Sequence, residues 1–160
     1  ENGPYDENAT ENPLSYYGES KLEAEKLIQN SVCNWAILRT VLVYGISHKM
    51  SRSNIILWVK NSLEQGKEIK VVNDQWRTPT LAEDLAMGCY LTAQKKAKGI
   101  FNISGSDFLN PYQMAVKTAS FFNLDKSLIE EVDGTQFTQT AKRPPKTGFN
   151  TSRAIIRSIE

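Results

Sequence analysis

Residues 15–30 read Ser-Tyr-Tyr-Gly-Glu-Ser-Lys-Leu-Glu-Ala-Glu-Lys-Leu-Ile-Gln-Asn. On a helical wheel of about 100° per residue, Tyr17, Ser20, Lys21, Ala24, Leu27 and Ile28 share one side, and Glu19, Glu23, Lys26 and Gln29 the other. The segment is an amphipathic helix whose Tyr17 side is expected to be buried. Residues 35–39, Trp-Ala-Ile-Leu-Arg, follow as a short apolar run ended by a charge, the pattern of a buried strand.

The same alternation continues down the chain. Residues 41–52 read as a loop carrying Tyr44-Gly45, residues 54–65 as a helix stopped by Gly66, and residues 69–72 as a strand. A polar loop at 73–79 holds Trp76 and Arg77. Thr80-x-x-Glu83 predicts a capping box for a helix reaching about residue 96, with Leu81, Leu85, Met87, Tyr90 and Leu91 available for packing. Gly99 is expected to end that helix, with a strand at 100–104. Asn110 caps the next helix with Pro111 at its first position, and this helix carries Met114, Ala115, Thr118, Phe121 and Phe122. A short strand at 129–132, a loop at 134–148 with Arg143-Pro144-Pro145, and a last helix from 151 complete the reading. Strands separated by helices predict an α/β fold with parallel pairing. The segments are too few for a whole doubly wound sheet.

Composition excludes several functions. Nineteen Lys and Arg against 18 Asp and Glu leave a net charge of +1 over 160 residues. A nucleic-acid clamp or a polybasic membrane binder would show a basic excess. Apolar runs are too short to span a bilayer, and no basic segment precedes an apolar one as in a signal peptide, so a cytoplasmic domain is expected. His48 is the single histidine. Ser-His catalysis and a His-rich metal site therefore drop out, and no metal is expected. Cys33 and Cys89 cannot form a disulfide scaffold and read as small buried hydrophobes. The chain opens on Glu1 in a polar, turn-rich stretch, which reads as the start of a cut fragment.

The chemistry lies in the first helix. Tyr17 and Lys21 stand at i and i+4, one turn apart on one face. A phenol ionises near pH 10, too high for proton transfer at neutral pH, and an adjacent cation favours the phenolate. The pair is thus a general acid/base that needs no histidine. The same spacing also suits a core tyrosine beside a lysine that snorkels to water. Arg77 and Arg143 each lie in a loop, where a solvated arginine is one reading and an anion grip by the planar guanidinium another. Arg39, at the end of a strand, reads as a structural ion-pair residue. Trp76 either stacks on a base or shields the core.

In sequence, residues 12–25 (Asn-Pro-Leu-Ser-Tyr-Tyr-Gly-Glu-Ser-Lys-Leu-Glu-Ala-Glu) resemble the active-site helix of the extended short-chain dehydrogenases/reductases. Residues 38–45 (Leu-Arg-Thr-Val-Leu-Val-Tyr-Gly) resemble the strand and loop that follow that helix. Residues 73–80 and Arg143-Pro144 sit where the family's substrate-domain motifs fall. Together the motifs are most similar to the dTDP-4-dehydrorhamnose reductases, over essentially the whole chain.

The resemblance implies the end of a Rossmann-type parallel sheet with the catalytic helix over about 1–72, and mostly a small α/β substrate-binding domain over about 73–160. It implies NAD(P)H-dependent reduction of the 4-keto group of a nucleotide-linked deoxysugar. Tyr17 would protonate the keto oxygen, and Lys21 would hold the nicotinamide ribose and favour the phenolate. The loop at 41–45, including Leu42, would border nicotinamide and sugar, with Arg77 and Arg143 as diphosphate candidates.

Three departures matter. Leu42 stands where the rhamnose reductases carry a tryptophan. Arg77 stands where they carry glycine; an arginine there is found in other extended members and in the regulatory β subunit of methionine adenosyltransferase, which resembles them. Finally, the nine glycines form no G-x-G, so the phosphate-cradling fingerprint and the family's active-site Ser/Thr are missing. The chain is expected to be the C-terminal part of such an enzyme, inactive by itself, with most of the NADH or NADPH site elsewhere. Epimerases and dehydratases of the same family, and a non-catalytic regulatory subunit, are the alternatives. The Tyr17 helix and the one after it are candidates for a homodimer face.

Overall fold

The computed structural model describes residues 3–46, 53–137 and 143–154. Its helices are α1 (Tyr16–Gln29), α2 (Ile55–Glu64), α3 (Ala82–Gln94) and α4 (Pro111–Phe121), and its strands β1 (Ala36–Arg39), β2 (Val43–Tyr44), β3 (Ile69–Val72), β4 (Thr80–Leu81), β5 (Gly99–Asn102) and β6 (Ile129–Val132). The strands form three parallel pairs, β1 with β5, β2 with β4 and β3 with β6. This is a mixed α/β fold with parallel sheet segments, as the alternation of elements and the family resemblance led one to expect.

Registers run Ala36 to Gly99 through Arg39 to Asn102, and Ile69 to Ile129 through Val72 to Val132. Both pairs join a strand before residue 73 to one after it, so the two expected parts interleave in space. One core is dense: Val59 and Leu63 of α2, Ala115 and Ala119 of α4, Ile69 and Val71 of β3, and Ile129 of β6 pack together. Helices α2 and α4 cover the β3–β6 pair, and each begins with an asparagine cap. Asn54 Oδ1 accepts from the Leu57 amide, and its Nδ2 donates to the Gly45 carbonyl, tying α2 to the end of β2. Asn110 caps α4 ahead of Pro111 as expected, and with Gln113 it forms a full capping box. After α2, Gly66 turns the chain at φ +65°, a conformation open to glycine at little cost.

Several local expectations give way to tertiary contacts. The apolar side of α1 is not buried: Tyr17 is 71% and Leu27 74% exposed, and no residue of α1 is buried. Helix α3 likewise shows Met87 and Tyr90 to solvent. The Thr80–Glu83 capping box does not form; Leu81 is the N-cap without a side-chain bond. The Thr80 hydroxyl instead donates to the Val41 carbonyl and accepts from the Thr40 hydroxyl, stitching β4 to the strand-end loop. Gly99, at φ +107°, opens β5 rather than ending α3, which closes at Lys95 with Lys96 left-handed. Both Cys33 and Cys89 are exposed, since α1 and α3 leave their surroundings open. His48 lies outside the described residues, and the last helix is described only as a turn at 152–154.

Candidate active site

Helix α1 starts where the Ser15 hydroxyl accepts from the Gly18 amide at 3.2 Å. Pro13 packs so closely on Gly18 that an added Cβ would lie 3.2 Å from its side chain. The first turn of the helix therefore lies against the 9–13 segment. Tyr17 leaves that turn, and Lys21 follows one turn on with Nζ 5.5 Å from the Tyr17 ring centre. The phenol and the ammonium are thus side by side, as their spacing requires.

Both line a cleft of about 1030 Å³, which also meets Arg39 and Thr40 at the carboxyl end of β1, and Pro144 and Phe149 on a second wall. Ligands of parallel α/β sheets bind beyond the carboxyl ends of the strands, and this cleft occupies that place. Arg39 holds α1 over it: Nε and Nη2 donate to the two carboxylate oxygens of Glu25 at 2.9 and 2.6 Å. Glu25 lies one turn beyond Lys21 on the same helix. The hydrogen bond to Glu25 keeps the Arg39 guanidinium protonated still more firmly than usual, against the opposing effect of burial. Arg39 is the structural ion-pair residue its position suggested, and it also borders the cleft.

The other candidates fall elsewhere. Leu42 turns the chain between β1 and β2 with φ +47°, its carbonyl accepting from the Thr80 amide at 3.2 Å. Arg77 points back into its own neighbourhood, where Nη1 donates to the Trp76 carbonyl at 2.6 Å and Nη2 to that of Pro144 at 2.9 Å. Burial first, then the like charge of Arg143, pulls the Arg77 pKa below its ordinary value, with Asp74 acting the other way. Exposed Arg143 lines a separate cavity of about 350 Å³ with Trp58, Lys70 and Gln75. Trp76 packs against Phe108, ring centres 5.6 Å apart. The structure thus brings together Tyr17 and Lys21 but not Leu42, Arg77 or Arg143 with them. Among the cleft-lining residues, sequence reasoning did not single out Thr40, although it lies inside the 38–45 motif, or Phe149, which no motif marks.

A nicotinamide nucleotide can be tested against these donors. An exposed phenol and ammonium on one face suit the hydroxyls of a ribose and the oxygen of a carbonyl. Among the described residues, no group of three or more His, Cys, Asp or Glu side chains could hold a metal ion, and no helix is long and apolar enough to cross a membrane.

Comparison with known proteins agrees with this geometry. Residues 1–157 match the family model of the RmlD substrate binding domain. The chain is 31% identical over 157 residues to methionine adenosyltransferase 2 subunit beta of Bos taurus, covering 95% of this chain and 47% of that protein. It is 30% identical over 140 residues to dTDP-4-dehydrorhamnose reductase of Sinorhizobium fredii, covering 83% of this chain and 44% of the other. In structure it is similar to a dTDP-4-dehydrorhamnose reductase ortholog from Clostridium acetobutylicum, with a TM-score of 0.88 and 26% identity over 99% of this chain and 54% of that one. The chain spans about half the length of the curated relatives it matches.

Proposed function

The chain belongs to the RmlD substrate binding domain family, and from that premise we propose that it is the catalytic-helix and sugar-binding part of an NAD(P)H-dependent reductase. The substrate is a nucleotide-linked 4-keto deoxysugar of the dTDP-4-dehydrorhamnose kind. One observation carries the reading: Tyr17 and Lys21 stand side by side at the mouth of a cleft beyond the carboxyl end of β1.

When bound, the nicotinamide supplies the hydride that reduces the carbonyl carbon. As negative charge grows on the keto oxygen, Tyr17 Oη donates its proton to it, leaving an alcohol and a phenolate. Lys21, one turn away, stabilises that phenolate until a proton from solvent restores the phenol. Lys21 is also the residue that would hold the nicotinamide ribose. Arg143, exposed beside the smaller cavity, is the arginine we assign to the substrate's diphosphate, with Leu42 at the edge of the sugar site. The 160 residues contain no G-x-G, so by themselves they are expected to bind NAD(P)H weakly and to reduce nothing.

In the full protein, Tyr17→Phe should lower kcat by about 10²–10⁴-fold with substrate binding retained. Unchanged turnover would remove the tyrosine from the mechanism. A second reading, a subunit that keeps the cleft without the reaction, is favoured by the likeness to methionine adenosyltransferase 2 subunit beta. Absence of turnover of dTDP-4-keto-6-deoxymannose by the full protein would count against the reductase, and absence of turnover of other nucleotide sugars as well would decide for this second reading.

A further inference from the structure

Three segments cross at Arg77. Its backbone exchanges a pair of 2.8 Å hydrogen bonds with Leu109, amide to carbonyl in both directions. The neighbouring Trp76 amide donates to the Pro145 carbonyl at 2.6 Å, and the Thr147 amide donates back to the Trp76 carbonyl at 3.0 Å. The strap at 144–149 is thus laid parallel to the 76–78 segment, bridged at Trp76 and Lys146. Farther along, the Phe149 amide donates to the Thr78 hydroxyl at 3.0 Å, and the Tyr5 amide to the Gly148 carbonyl at 2.8 Å.

The weak place in this strap is its start. Pro144 and Pro145 have no N–H and can offer only carbonyls. The Arg77 guanidinium meets that need: Nη2 donates to the Pro144 carbonyl at 2.9 Å, and Nη1 to those of Trp76 at 2.6 Å and Pro145 at 3.4 Å. A planar fork reaches divergent acceptors at once, as the point charge of a lysine cannot. Of these acceptors only the Pro144 carbonyl has no second donor among the described residues, because that of Pro145 also accepts from the Trp76 amide and that of Trp76 from the Thr147 amide. A diphosphate that drew Nη2 away would therefore leave the half-buried Pro144 carbonyl without its partner. The strap it secures supplies Pro144, Thr147 and Phe149 to the cleft that Tyr17 and Lys21 also line.

We infer that Arg77 is a positioning residue that clamps the 144–149 strap and so sets the cleft wall facing Tyr17 and Lys21, and that it is not a diphosphate ligand. The clamp follows from this chain's own geometry; its effect on turnover rests on the reductase reading.

The test compares native protein with Arg77→Ala and the milder Arg77→Lys in the full protein that carries this chain. Amide exchange is followed by mass spectrometry in strap peptides, with α4 and β3 peptides as the control for folding. In Arg77→Ala, exchange at Thr147 and Phe149 should accelerate about tenfold or more, with an intermediate gain in Arg77→Lys and an unchanged core. The affinity for dTDP should stay within about twofold, and kcat should fall more than KM rises, because a loosened wall misplaces the sugar. Unchanged strap exchange in both variants would overturn the clamp, as would a dTDP affinity about tenfold or more weaker with strap exchange intact. If the native protein turns nothing over, exchange and dTDP binding still decide the clamp, and that failure falls on the reductase reading alone.

Discussion

Helices α1 and α4 follow the same plan, a polar cap followed by apolar residues at helical spacing, yet their surroundings differ. Helix α4 buries Met114, Ala115, Thr118 and Ala119, while α1 buries none of its residues. The reason lies in their neighbours. Helix α4 sits on the β3–β6 pair beside α2, so Ala115 and Ala119 join the buried core with Tyr112 and Val116 packed against it, and only Phe121 at the helix end is left largely exposed. Helix α1 is tied to β1 chiefly by the Glu25–Arg39 ion pair, and its Leu27 side faces open space. Spacing determines which side chains share a face; only the packing of other elements determines whether that face is covered. The open layer is also the one with the cleft, so Tyr17 and Lys21 stand on a helix that buries none of its residues.

The comparison can be broken by equilibrium unfolding of matched variants. Leu63→Ala, in the dense layer, should cost about 2–5 kcal/mol, because the removed methyls leave a cavity among Val59, Ala115 and Ile69. Thr80→Val should cost about 1–3 kcal/mol, since the buried hydroxyl serves both Val41 and Thr40. Glu25→Gln, which weakens the bidentate tether of α1, should cost about 1–2 kcal/mol, reduced from a buried pair's worth because both partners touch water. Leu27→Ala should change stability by about 0.5 kcal/mol or less. Equal losses for Leu63→Ala and Leu27→Ala would erase the distinction between the layers.

The smallest effect concerns Asp133, whose carboxyl lies below its ordinary pKa because the Thr135 hydroxyl, and then the Thr135 amide, donate to it. A carboxylate favoured in the folded state adds stability above its unfolded pKa of about 3.9, and that contribution is lost as pH falls through the lower folded value. Its midpoint, followed by NMR, should lie below that value and rise in Thr135→Ala. A midpoint insensitive to Thr135 would refute the assignment.

Much of the fold was legible because it depends on neighbours in the chain. Asn54 and Asn110 cap helices with bonds to amides three residues on, and short, mainly apolar runs marked β1 and β3. Thr80 shows where such reading fails. Its sequence context suited a capping box, but the Val41 carbonyl and the Thr40 hydroxyl lie close enough to claim its side chain. Arg77 shows the same dependence: for a loop arginine the sequence offered an anion or solvent as partner, and the guanidinium also meets the Pro144 carbonyl, far along the chain.

By itself, then, the sequence determined helices α1 to α4, strands β1, β3, β5 and β6, their parallel arrangement, and the side-by-side Tyr17 and Lys21, whereas the short β2 and β4 fall where it read a loop and a helix start. Tertiary structure alone decided that the Tyr17 helix stays open while α4 is buried, that the Thr80 hydroxyl meets Val41 and Thr40 rather than a helix amide and the Arg77 guanidinium meets backbone carbonyls, and that Pro144 and Phe149 line one cleft with Tyr17 and Lys21. Those outcomes depend on which donors and surfaces meet across long stretches of chain, and hydrogen-bonding groups and apolar faces bind the partner that packing places within reach.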